Sequence, residues 1–457
     1  MARAAKKEKV LTAVLVPEAE QPYPVPENWC WVRASSLATV ISKGTTPKGG
    51  KAGYTESGVN FLRVENICND GTISHEKIKH ITEDMHMGFL KRSILQKDDV
   101  LISIAGTLGR TAIVRKVDIP MNTNQAICFF RIRGEQVKPQ YIKYAFDNPV
   151  INAHLMSQAK ITAIPNLTLE IIGNCPLPIP PEQEQSRIVA RIESLFAKLD
   201  EAKEKIQEVL DGADLRRAAI LHQAFTGKLT EKWRSEHNIY FDSWEKKKLG
   251  DIGALERGRS KHRPRNDPKL FGGRYPFIQT GDIAAAGMYI TTHKQTLSDI
   301  GFQQSRLFPA GTLCITIAAN IGDVAILSYD CCFPDSVAGF NPHEGQVLSE
   351  YVYYLMTVIQ QELEANAPAT AQKNINLKVL NDVVVTVPTV PEQQEIVRLL
   401  DNLLSREQST VTACEEALTT IDTLKKSILA HAFRGELGTN DPAEPNAKEL
   451  LKEILSA

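Results

Sequence analysis

AILHQAFTGKLTEKWR (219–234) is echoed by SILAHAFRGELGTNDP (427–442) near the other end of the chain. Ala-Phe-x-Gly-x-Leu recurs as Ala224, Phe225, Gly227, Leu229 and as Ala432, Phe433, Gly435, Leu437, an offset of 208 residues. Upstream of each copy stands a proline-rich entry and a shared Glu-Gln-x-x-Ile-Val. It reads Glu184, Gln185, Ile188, Val189 in one and Glu392, Gln393, Ile396, Val397 in the other, again 208 apart. Earlier still, FLRVENICNDG from Phe61 parallels FIQTGDIAAAG from Phe277, and LISIAGTLGRTAIV from Leu101 parallels CITIAANIGDVAIL from Cys314. There the offsets drift to 216 and 213. Four matched pairs in one order mark an internal duplication. A constant offset in the helical parts and drift elsewhere imply two preserved connectors joined to two diverged modules.

Each copy opens with short β-branched runs broken by Gly, Asn and Asp, the pattern of a compact mixed module. A proline gate follows, Pro176, Pro178, Pro180 and Pro181 in the first copy and Pro388 and Pro391 in the second. Such prolines end one fold and start a helix. Beyond the gates, Ile188, Ile192, Leu195, Leu199, Ile206 and Leu210 form one apolar stripe, and Ile396, Leu400, Leu403, Val411, Leu418, Ile421 and Ile428 form another. About forty residues of helix spans roughly 60 Å. Neither helix can bury its stripe alone. Antiparallel pairing of the two, under a pseudo-two-fold internal repeat, answers that need, and packing of each stripe on its own module is the alternative. The expected fold class is α+β, with two mixed α/β modules separated by two long antiparallel coiled-coil helices. The divisions are an N-terminal arm (1–27), a first module (28–180), a central helical region (181–241), a second module (242–390), a distal helical region (391–437) and a C-terminal tail (438–457).

The 457 residues, 43% hydrophobic and 23% charged, describe a globular chain with room for two to four domains. No apolar run is long enough to cross a bilayer, and MARAAKKEKV is followed by no signal-peptide pattern, so a cytoplasmic protein is expected. The eight cysteines include no C-x-x-C pair and no zinc-finger spacing, which makes them buried free thiols. A net charge of −1 argues against nonspecific coating of nucleic acid and leaves local basic patches as the route to DNA.

Two such patches fall at equivalent places. ERGRSKHRPR (256–265) carries Arg257, Arg259, Lys261, Arg263 and Arg265, and SKGTTPKGGK (42–51) carries Lys43, Thr45, Lys48 and Lys51 with glycines and no acid. Basic side chains neutralise phosphates, glycine permits close backbone approach, and a guanidinium such as that of Arg259 can grip guanine with two bonds. The bland alternative, a solvated loop, loses ground because the pattern occurs in both copies. The loop in LISIAGTLGRT reads first as a hairpin turn; were it to touch bases, Arg110 against Asp323 would give the modules different preferences. Before the gates, Lys160, Thr162 and Asn166 stand beside Gln372, Lys373, Asn374 and Asn376, as base readers or as caps and turns.

No catalytic motif is present: no phosphate-binding loop, no dinucleotide fingerprint, no H-E-x-x-H, no nucleophile elbow. The strings nearest to an adenine methyltransferase signature, at Asn266 and Asn440, lack its second proline and aromatic residue. Neither a catalytic residue nor a metal ligand is assigned.

The two variable modules, the preserved helices, a tryptophan at each module start (Trp31 and Trp244), the gates PPEQEQSRIV and VPEQQEIV, and AFTGKLTEKWR together resemble the specificity subunits of Type I restriction-modification systems. The resemblance runs from about Trp29 to Leu437. It implies two target-recognition domains that each read half of a split, asymmetric double-stranded DNA sequence, held by the helices at a fixed spacing. It also implies two methyltransferase subunits and motor-nuclease restriction subunits as partners. S-adenosylmethionine, ATP and magnesium would then reside in those partners, with no cofactor in this chain. A helical scaffold or protein-interaction adaptor without DNA readout is the rival, and an enzyme with an unrecognised centre is the second.

Overall fold

The computed structural model describes residues 11–47, 49, 53–159, 165–260, 266–318, 322–365 and 375–456. The chain divides into two units that are not consecutive stretches of sequence: Met1–Ile206 with Glu416–Ala457, and Gln207–Glu415.

In the first unit, VLIS at Val100–Ser103 is buried at all four positions. Val100 and Ile102 face one apolar cluster, shared with the helix Pro139–Asp147, and Leu101 faces a second. A strand covered on both faces reads as an unbroken apolar run, which is why no alternation marks it. It lies inside a four-stranded antiparallel sheet in the order Ala38–Lys43, Ile127–Ile132, Val100–Ser103, Thr111–Ile113. A three-stranded sheet, Lys79–Ile81, Val59–Leu62, Met121–Thr123, forms the rest. LCIT at Leu313–Thr316 plays the same part in the second unit: Leu313 and Ile315 face one cluster and Cys314 the other. Its sheet runs Gly253–Arg257, Val337–Pro342, Leu313–Thr316, Val324–Leu327, Tyr289–Ile290, beside a four-stranded sheet built on Phe271–Phe277.

Entry and exit of each module lie side by side in a two-stranded antiparallel ribbon, Cys30–Arg33 with Pro176–Ile179 and Glu245–Lys248 with Val384–Val387. The registers Cys30 with Ile179 and Glu245 with Val387 make Trp29 the counterpart of Trp244. The pairing of Trp31 with Trp244 is thus off by two residues, because strand register and not composition fixes which tryptophan precedes the ribbon. Trp31 instead sits inside the first strand, its indole donating to the Tyr23 carbonyl.

The gates start helices as expected. The second is continuous over 43 residues, Val390–Ala432. The first is interrupted at residue 212, giving Glu182–Asp211 and Ala213–Phe225. Both packing arrangements for the stripes occur. Ile188 and Ile192 enter the core of the first module, and Ile396 and Leu400 that of the second. Farther along, helix faces helix: in the first unit Asp200 bonds Lys425 and Lys203 bonds Asp422, numbers rising on one helix as they fall on the other, so the pair is antiparallel. In the second unit Arg216 bonds Glu407 at 2.7 Å. No helix among the described residues is long and apolar enough to cross a membrane. All eight cysteines are free thiols, six of them buried.

Candidate nucleic-acid interface

The basic stretches begin where a strand ends in a glycine that crosses another segment closely. Lys43 closes Ala38–Lys43 and Arg257 closes Gly253–Arg257, and both are exposed. The next residue, Gly44 or Gly258, donates its N–H to Ile127 (3.2 Å) or Val337 (2.9 Å). A Cβ at Gly44 would stand 2.0 Å from the Thr123 carbonyl oxygen, and one at Gly258 2.2 Å from that of Pro334. No side chain fits such a crossing, so glycine is required at both. Thr45 and Arg259 then donate N–H to the carbonyls of Thr123 (3.1 Å) and Phe333 (3.2 Å). The starts of the two basic stretches, through Thr45 and Arg259, are therefore one structural feature present twice.

Their side chains differ. In the first module the Thr45 hydroxyl accepts from Arg92 at 3.4 Å, which brings to Thr45 a cation that sequence reading missed. In the second, Arg257 donates to the Asp335 carbonyl and Arg259 is exposed at the mouth of a cavity of about 160 Å³ lined also by Phe277, Gln279 and Gln304. Lys48, Lys51, Lys160, Lys261, Arg263, Arg265 and Lys373 lie outside the described residues.

The hairpin after Val100–Ser103 is a turn tied to itself. The Ser103 hydroxyl accepts from Arg110 N–H at 2.8 Å, and the Thr316 hydroxyl accepts from Asp323 N–H at 3.0 Å. The Arg110 guanidinium, half-buried, turns back to donate to the Ile67 carbonyl at 3.1 Å, while the Asp323 carboxylate accepts from Gln360 at 3.2 Å. Each side chain is thus held by a group of its own module. Asn376 caps the helix Leu377–Asp382 by accepting from Val379 N–H at 2.9 Å. Among the described residues no group of His, Cys, Asp or Glu could hold a metal ion.

What the sequence did not single out as functional is the joint between module and helix. Gln185 and Gln393, both without exposed surface, accept from the backbone N–H of Lys138 (3.0 Å) and Leu348 (2.9 Å) and donate to Pro180 and Pro388. Fully buried Tyr141 and Tyr351 donate to the carbonyls of Pro178 (2.8 Å) and Thr386 (2.7 Å) in the ribbons. Glu392 accepts from Thr230 (2.7 Å), Arg234 (2.6 Å) and the Trp244 indole (2.9 Å). Glu184 accepts from Thr439 (2.7 Å) and Arg187 (2.9 Å); burial pushes its carboxyl above the usual range while those bonds pull it down. The only sequence signal was that Glu-Gln stands in both gates.

Two diverged mixed modules, each seated on its helices through the same buried joint and each ending a strand in the same basic glycine crossing, define a duplicated two-module protein. The chain belongs to the Type I restriction-modification DNA specificity family: residues 26–211 and 242–416 both match the model of the Type I restriction modification DNA specificity domain. It is 24% identical over 452 residues to the Type I restriction enzyme EcoKI specificity subunit of Escherichia coli, covering 92% of this chain and 91% of that one. The EcoBI specificity subunit of Escherichia coli is 29% identical over 216 residues, 47% of this chain and 44% of that one. The HsdS subunit from Thermoanaerobacter tengcongensis shares the fold with a TM-score of 0.65 at 21% identity, over 92% of this chain and all of that one. Both matched regions are matched as specificity domains.

Proposed function

We propose that this chain is the non-catalytic subunit that reads a bipartite, asymmetric double-stranded DNA target and directs partner subunits to it. Each module takes one half-site and the helices set the unread spacer. The observation that carries the reading is the glycine crossing repeated in both modules, each presenting a strand-end cation, Lys43 or Arg257, followed by a basic stretch. Strand-end cations suit phosphate contacts that position a protein on a duplex, while side chains that differ between the modules supply different base preferences. Different modules on equivalent joints give an asymmetric site, where identical ones would give a palindrome.

Duplication of the helical face supports two copies of a methyltransferase subunit as partners, with motor-nuclease subunits joining them. S-adenosylmethionine, ATP and magnesium would be held by those partners, and the complex would work in the cytoplasm. Adenine methylation mapped genome-wide in cells expressing the methyltransferase partner, with and without this chain, tests the proposal. A split motif that appears only with the chain supports it. Methylation that is independent of the chain would favour the scaffold reading.

A further inference from the structure

Both joints are built around a carboxylate with no exposed surface, and at the internal one its three partners come from the two sides of the joint. Thr230 and Arg234 lie on the connector that follows the first helical region; Trp244 immediately precedes the module's first strand; Glu392 lies in the first turn of the second long helix. Arg234, with 9% of its side chain exposed, also donates to the Gly227 carbonyl at 2.6 Å and stacks on Phe241 and Trp244. We propose that Glu392 is the positioning residue that fixes the attitude of the second module on its helices, and through it the number of unread base pairs beside that module's half-site. This rests on the DNA-reading function proposed above.

The second module enters after Trp244 and leaves before Glu392, and the ribbon Glu245–Lys248 with Val384–Val387 brings these points together. A body attached at one place can pivot there. The bonds of Glu392 run to the parts that such a pivot would separate, and desolvated charge-assisted bonds are the stiffest available. In a domain with a radius of roughly 20 Å, whose far surface stands about 40 Å from a pivot at its edge, a tilt of about 5° moves that surface by about 3.4 Å, the rise of one base pair. A small loosening of the joint therefore reads out as an error in spacer length and not in half-site sequence.

The test maps adenine methylation in cells carrying the full chain and its methyltransferase partner. Failure of the unaltered chain to yield a split motif with one spacer length would overturn the parent reading and this inference with it. Given that motif, Glu392→Gln, uncharged and of equal size, is expected to preserve both half-sites and spread methylation to spacers one base pair longer or shorter. Discrimination should fall about tenfold, equivalent to 1.4 kcal/mol. Arg234→Met combined with Glu392→Gln strands no charge; it should fold better than Glu392→Gln alone and show the same broadening. Leu327→Ala, buried in the module's other apolar cluster, which contains no residue of the long helix, controls for lost stability and should lower methylation without altering spacing. A single spacer kept by both joint variants, or equal broadening in Leu327→Ala, would overturn the inference.

Discussion

At the internal joint Glu392 takes its arginine from the connector, as Arg234; at the terminal joint Glu184 takes it from its own helix, as Arg187. Around the internal one the chain is continuous, and the tryptophan Trp244 reaches the carboxylate directly. Around the terminal one the same place is assembled from the two chain ends. Trp29 donates to Asn440 at 3.1 Å, Asn28 to the Asp441 carbonyl at 3.0 Å, and Arg187 makes two bonds of 2.8 Å to Glu444. The helix Ala447–Ile454 then docks through Ala447, Leu451 and Ile454, all buried. What stays constant is the buried carboxylate with its threonine donor, the glutamine and the tyrosine; the cation comes from the connector at one joint and from the helix itself at the other. Non-covalent bonds do at the terminal joint what the peptide backbone does at the internal one.

The largest effect should come from removing that closure. Ending the chain after Leu437 strips Leu451 and Ile454 from the first unit, whose burial is worth about 4–6 kcal/mol together with the polar bonds removed. Hydrogen exchange should show the first unit weakened and the second unchanged, and equal weakening of both would break the comparison.

Next in size is the contrast between the arginines. Arg234→Ala leaves Glu392 buried without its cation, at a cost of roughly 3–5 kcal/mol. Arg187→Ala also strands a carboxylate with no exposed surface, but Arg187 is itself 38% exposed and burial already pushes the Glu184 carboxyl up, so that it can take a proton; the cost should be smaller, roughly 1–3 kcal/mol. Denaturant unfolding of the two variants measures the difference, and a reversed order would mean that the terminal joint carries the heavier load.

Smaller again is the contrast between glycines. Gly227 and Gly435 have φ of +76° and +75°, a region that costs an alanine roughly 1–2 kcal/mol. A Cβ at Gly435 would also meet Pro26 at 2.4 Å, and one at Gly227 would meet the Phe241 ring at 2.3 Å. Phe241 is 53% exposed and can swing aside, whereas the Pro26 ring is fixed to its backbone. Gly435→Ala should therefore lower the melting temperature further than Gly227→Ala, and equal shifts would remove the distinction.

Subtlest is the contrast between basic stretches. Alanine at Arg257, Arg259 and Arg263 should weaken DNA binding by the assembled complex and reduce its salt slope by about 0.9 for each phosphate no longer neutralised. An unchanged slope would take the stretch out of the interface.

The duplication, the gates and the helical stripes were all legible in the sequence, because helical spacing preserves offsets and Ala-Phe-x-Gly-x-Leu recurs intact. The equivalence of the two basic stretches was read from their charge and place in each copy; the crossing shared by Gly44 and Gly258 is what the structure adds. The terminal joint was not. Its parts stand more than four hundred residues apart, Asn28 from Asp441 among them, and its arginine has moved from connector to helix. Trp29 was passed over for Trp31 because only strand register separates them. Glu184 and Glu392 were read only as members of the repeated gate motif, since nothing in a sequence tells a buried carboxylate from a solvated one. Arg110 offered a cation in a loop, and its turn back to Ile67 is a matter of packing that no local pattern encodes.

Exchanging residues 242–390 for the corresponding module of another family member, and mapping adenine methylation with the partner methyltransferase present, tests whether each module reads one half of a split target. A split motif is expected in which one half-site changes and the other stays as it was. A change in both halves, or in neither, would contradict it.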